Sequence, residues 1–335
     1  MRLSILLPAL AGSFLLTAGC GSNSRDQGQG QLASSSLSRE TPAPSEAEKG
    51  DLATSLSGFA FDLWKELRLD PAAAGNFACS PASISLALGM AYAGAEGDTA
   101  AQMRTAMHVA SASDVYLRSL NWLDQELESR AAAALQQAQT MYAGGGSLGS
   151  APAPADFRLH VVNACWGERT MTFELPYLDT LATDFGTGVH LADFKTQPDT
   201  ERLAINAWVS QETLNRINDL IPPGAVDTST RAVLVNAIHL KLPWFDPFVE
   251  TSTAPATFTR PDGSTVSVPF MNKTSSLLYA EDDTTQAVAI SLAMTRVSVS
   301  CEARYTKLLT AYSPARVSCI AISDSFRRLD DLLRD

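Results

Sequence analysis

The chain has 335 residues, 45% of them hydrophobic, enough to bury a large core as one big domain or two smaller ones. A net charge of −11 excludes nucleic acid as a partner, because phosphate binding needs clustered Lys and Arg. Four His and five Cys fall in none of the paired spacings of zinc or thioredoxin-type sites, so no metal, cofactor or redox role is expected.

In chain order, Arg2 precedes an apolar run over residues 3–16 that is too short for a durable membrane span, and Thr17-Ala18-Gly19-Cys20 follows. Residues 1–20 read as a secretion signal. A Cys directly after Ala-Gly resembles the bacterial lipobox, which implies acylation of Cys20, anchoring to the membrane, and a place at the cell surface or in the periplasm. Residues 21–51 are rich in Ser, Gly, Gln, Glu and Pro and are expected to be a disordered linker. The folded body is expected to start at Leu52, where Leu56, Phe59, Ala60, Leu63 and Leu67 recur at helical spacing. Further helices are predicted over 82–94, over 99–107 with Asp98 as N-cap, and over 113–139. Residues 143–156 form a Gly- and Pro-rich loop. Gly144 to Gly149 matches G-x-G-x-x-G literally, but Pro152 and Pro154 follow where a nucleotide-binding helix should stand.

A strand is predicted over 157–166, and helices over 173–185 and 199–214. Residues 232–240 (AVLVNAIHL) are almost continuously apolar, which predicts a middle strand covered on both faces. Residues 257–259 and 265–270 flank Pro261-Asp262-Gly263 and read as a hairpin. Helices first and interleaved strands later make the chain α+β. His108, His160, His190 and His239 have no partner at catalytic or metal-binding spacing, and no nucleophile, base and orienting group can be assembled, so an enzyme is not expected. Asn272-Lys273-Thr274 is a formal glycosylation sequon, and Cys79 and Cys165 are read as buried thiols.

Three blocks resemble the serpin family and together cover most of residues 56–273. They are NFACSPASISLALGMAYAGAEGDTAAQM at 76–103; Asn163-Ala164-x-Trp166 with Ala192-Asp193-Phe194 and Ile205-Asn206-x-Trp208-Val209; and LVNAIHLKLPWFDPF at 234–248 with Val268-Pro269-Phe270-Met271. The resemblance implies a serpin domain over 52–290, with N-terminal helices on a large central sheet plus smaller sheets. It places Ser80, Ser83 and Asn236 in the family's shutter, the polar cluster under the large sheet, and Trp244 in its breach. Where the family has Gly after the strand's Lys, this chain has Leu242-Pro243 after Lys241, so the end of that strand is expected to be altered.

The resemblance implies inhibition of a serine (or cysteine) protease by a monomer, through suicide insertion of a reactive loop into the large sheet. No hinge, reactive bond or shutter His is identified in residues 291–335. That stretch contains none of the chain's 20 Gly but seven Ser and six Arg. It reads as an atypical tail from a shifted reading frame, which leaves the fold incomplete at the C-terminus and makes a non-inhibitory surface binding protein or an inactive remnant the alternative.

Overall fold

The computed structural model describes residues 31–69, 79–143, 153, 157–244, 247–260, 263–274, 278–281, 286–291, 298–303 and 317–322. Cys20, the signal segment and the glycine-rich run from Gly144 to Gly149 lie outside these residues, as do Pro261 and Asp262 at the hairpin tip.

The folded body starts well before Leu52. β1 (Leu32–Ala33) pairs antiparallel with Val189 and His190, and α1 (Glu46–Leu67) opens six residues ahead of the expected start. The signal for that start is local: Ser45 and Glu48 form a reciprocal capping box, each side chain satisfying the other's backbone N–H. The linker expected over 21–51 is therefore corrected from Gln31 onward. Its polar composition buries little, but its backbone is satisfied by the body: Gln31 O accepts from Leu191 N at 2.7 Å, and Glu40 N donates to Thr183 O at 2.9 Å.

α2 (Pro81–Tyr92) follows Ser80, whose extended backbone and side chain form the N-cap, with Pro at the first helical position. It is apolar nearly all round and buries Leu86, Ala87 and Met90, as suits a helix enclosed by neighbours. α3 (Gly97–Ala106) begins ahead of Asp98, which lies in its first turn; Glu96 takes the cap position without a side-chain bond, so the expected Asp98 cap is corrected. α4 (Ser113–Ala143) packs Tyr116, Leu117 and Leu120 against α1 and α2.

β2 (Arg158–Glu168) is the strand the sequence predicts, two residues longer at its end. α5 (Leu175–Phe185) closes on Gly186, which caps it in the left-handed region at φ 64°. β3 (Val189–Ala192) then runs parallel to β2, and α6 (Pro198–Glu212) crosses the sheet. β4 (Ala232–Lys241) pairs antiparallel along nearly the whole of β2, giving the order β1-β3-β2-β4. The strand expected in the middle of its sheet thus has a partner on one side only among the described residues. Its apolar run is buried only near Val235 and Ala237, and Leu234 remains 38% exposed. β4 ends at Lys241, just before Leu242-Pro243.

One face of the sheet is closed by α6: Val162, Ala164, Trp166, Val235 and Ala237 pack on Phe194, Ile205 and Val209. The other face meets α2 and α4. β5 (Ala254–Thr259) and β6 (Thr265–Phe270) form the expected hairpin, with β5 three residues longer at its start. β7 (Leu278–Glu281), β8 (Gln286–Ser291), β9 (Ser298–Ala303) and β10 (Val317–Ile322) form a separate antiparallel sheet, so the atypical tail contributes β9 and β10 to the sheet begun by β8.

Candidate functional site

Four short polar side chains meet where α2 abuts the middle of the β2–β4 pair. Ser80 caps α2 by accepting from Ser83 N at 3.4 Å, which fixes the first turn of the helix over the strands. Asn163 and Asn236 are direct cross-strand partners, both on the side of the sheet that meets α2. Asn236 Nδ2 donates to Ser83 O at 2.9 Å and to Asn163 Oδ1 at 2.6 Å, and it also bonds Ser83 Oγ. An amide nitrogen has two hydrogens, so three acceptors within its reach can be served only in turn. Ser83 is buried, 1% exposed, while Ser80, Asn163 and Asn236 are half-buried.

That surplus of acceptors sets the chemistry of the site. It ties a helix to two strands through hydrogen bonds that can exchange while the amide donor keeps its bonds, so partners can be swapped if the strands move. None of the four side chains is ionisable, so pH does not act on the network directly. Beside it, a cavity of about 290 Å³ lies against Asn163, bordered by Arg39, Met90, Phe185 and Trp208.

The structure therefore joins Ser83 to Asn236, brings in Ser80 through the helix cap, and adds Asn163, which the sequence argument did not single out as a site residue. A signal for it is present. Val162-Asn163-Ala164 and Val235-Asn236-Ala237 are the same triplet, and the register lays them across each other with the two Asn opposed. Trp244 stands apart, beyond the end of β4, half-buried with its ring 5.5 Å from that of Phe248 in an edge-on contact.

Two other groups brace the sheet. Trp166 on β2 stacks on His190 of β3 with ring centroids 4.5 Å apart, and Trp208 of α6 meets Trp166 edge-on at 4.8 Å. Burial holds the His190 imidazole below its usual pKa. Asp193 follows β3; Thr196 Oγ1 donates to its carboxylate at 2.6 Å and Arg169 Nη2 lies 2.9 Å away. The Thr196 bond first, then its backbone N–H and the Arg169 charge, outweigh burial and hold Asp193 below the usual carboxylate range. Cys165 is buried as expected and burial raises its pKa, whereas Cys79 is only half-buried. Among the described residues, no group of three or more His, Cys, Asp or Glu is placed to hold a metal ion, and no helix is long and apolar enough to cross a membrane.

A family model described as Serpin (serine protease inhibitor) matches residues 54–302, a stretch that runs past Ile290 and takes in nearly all of β9. The chain is 32% identical to Ipis-1 of Ixodes persulcatus over 63% of its own length and 49% of that protein's. It is 32% identical to the leukocyte elastase inhibitor of Equus caballus, over 69% of this chain and 55% of the relative. The chain thus spans about half the length of the curated relatives it matches. Among solved structures, cleaved Serpin 42Da superposes with a TM-score of 0.61 at 26% identity, covering 76% of this chain and 62% of that one. The native state of the thermophilic serpin tengpin gives 0.64 at 19% identity, covering 84% and 64%.

Proposed function

The chain belongs to the serpin family, and from that premise we propose that it is a serine-type endopeptidase inhibitor acting by loop insertion, exported and held at a membrane by acyl chains on Cys20. In such an inhibitor the protease cleaves a bait peptide bond, and its serine Oγ becomes esterified to the bait carbonyl. The loop then enters the large sheet as a strand and deforms the protease before the ester is hydrolysed. The partner is a serine (or cysteine) protease, and the inhibitor acts as a monomer.

The observation that carries this reading is the Asn236 amide with its three acceptors, Ser83 O, Ser83 Oγ and Asn163 Oδ1. A sheet that must open needs buried polar groups that exchange partners rather than lose them. Trp244, beyond the end of β4, takes the breach position on this reading.

A second reading, a non-inhibitory surface binding protein or an inactive remnant, is favoured by residues 291–335, which lack Gly and any hinge-like run. One experiment separates the two. The purified full chain is incubated with trypsin-, chymotrypsin- and elastase-like proteases and resolved in hot detergent. A complex that survives supports the inhibitor; cleavage to fragments without complex, and no rise in melting temperature after nicking, establishes the second reading.

A further inference from the structure

We propose that the end of the β2–β4 pair beside the C-terminus of α6 binds a compact multivalent oxyanion, a phosphate or phosphate monoester. The register sets Arg158 opposite Lys241 and His160 opposite His239. Side chains two apart on a strand share a face, so all four stand on the face that α6 covers further along, at the corners of a patch roughly 5 by 7 Å. Like charges directly across a strand pair repel. A fifth basic group joins them: after α6 the chain turns sharply through Leu214 and Asn215, at φ 54° and 59°, and the Arg216 that follows is near enough for His239 to feel its charge.

Two observations indicate that this concentration of charge has a ligand. Arg158 Nε is buried without a hydrogen-bond partner among the described residues, an orphaned donor in a side chain otherwise well placed to grip an oxyanion. A cleft of about 510 Å³ opens beside Arg158 and His160, lined also by Phe157, Leu159, Glu212 and, from α4, Glu128. Burial first, then Arg158, Arg216, His160 and Lys241, lower the pKa of His239.

The opposing groups are Glu212, whose Oε2 lies 3.5 Å from His160 Nε2, and Glu128. Arg158 and Arg216 each bring a positive charge to this place, in a chain whose net charge is −11. Each imidazole that gains a proton adds another. An anion seated there would draw β2, β4 and the end of α6 together. A long polyanion would meet the acidic remainder of the surface, which is why the ligand is compact.

The full chain is melted in inorganic phosphate or sulfate at pH 5.5 and pH 8, against sodium chloride at matched ionic strength. Phosphate is expected to raise the melting temperature beyond the chloride control at both pH values, and sulfate, whose charge does not change over this range, is expected to show roughly tenfold tighter apparent affinity at the lower pH. Glu212→Gln should tighten binding, while Arg158→Gln and Lys241→Gln should each abolish the phosphate-specific part. Lys241 is exposed, so its variant decides the matter if Arg158→Gln does not fold. Co-sedimentation with phosphatidylglycerol against phosphatidylcholine vesicles separates the sources. A phosphate response without retention on vesicles identifies a soluble phosphate, and retention lost in both variants identifies a lipid headgroup. A rise equal to that in chloride, or undiminished in the two variants, overturns the site.

Discussion

Asn163 and Asn236 oppose each other across the β2–β4 pair, and Asn236 Nδ2 donates to Asn163 Oδ1 at 2.6 Å while also serving the first turn of α2. The pair lies 73 residues apart in sequence yet closes one small network with Ser83.

Asn236→Asp replaces a donor with a carboxylate facing Ser83 O and Asn163 Oδ1, both acceptors. The expected cost is about 1–3 kcal/mol, since a charge is added at a half-buried position and two acceptors lose their donor. Asn236→Ala should cost about 1–3 kcal/mol. Urea unfolding of the single variants and of the Asn163→Ala, Asn236→Ala double variant should show strong non-additivity, and additive losses would disprove the network.

The N-terminal strap is expected to contribute to the stability of the body. Asn121 is fully buried, and its Nδ2 donates to Glu40 O at 3.0 Å and Thr183 O at 3.1 Å. Its Oδ1 accepts from Arg39 Nε at 2.9 Å, and Arg39 Nη2 lies 2.7 Å from Asp124. Removing residues 31–40 leaves Asn121 partly unpaired and should lower stability by about 1–3 kcal/mol. Asn121→Leu should recover part of that loss in the shortened chain while harming the intact one. Equal melting temperatures for intact and shortened chains would show that the strap is idle.

Gly188 tests the docking of β1 in a second way. A Cβ at this position would stand 2.3 Å from Ala33 O, a backbone atom that cannot move without lifting β1 from β3. Gly188→Ala should therefore cost about 1–3 kcal/mol and speed proteolysis ahead of α1. Unchanged cleavage in that segment would count against the pairing.

Acid stability should depend on two groups in separate windows. The Asp193 pKa is depressed in the folded state, so its contribution is present above the unfolded value of about 4 and is lost as pH falls through the folded one. Asp193→Asn should flatten the pH dependence of unfolding below about pH 4. His190 is also depressed, so the unfolded chain takes up the proton first and stability falls as pH drops below about 6.5. His190→Gln should flatten that upper part of the curve. A profile unaltered by either substitution would refute the assignment.

Much of the fold was legible because its signals are local. Ser80-Pro81 announces the start of α2, Asp199 to Glu212 carries α6, and the apolar run ending at Leu240 specifies a strand without reference to anything distant. The capping box at Ser45 and Glu48 was equally local, but the polar composition around it pointed to a tether. β3 is only four residues long, too short for periodicity to reveal, and becomes a strand because Cys165 to Glu168 offers it an edge.

By itself the sequence determined the α+β class, because propensity and capping act within a few positions, and the family, through three blocks of matching residues. Only the tertiary structure decided which groups meet: Asn163 with Asn236, Arg39 with Asn121, Arg158 with Lys241. These pairings depend on strand register and helix docking. A slip of one residue would send every one of the strand side chains to the opposite face.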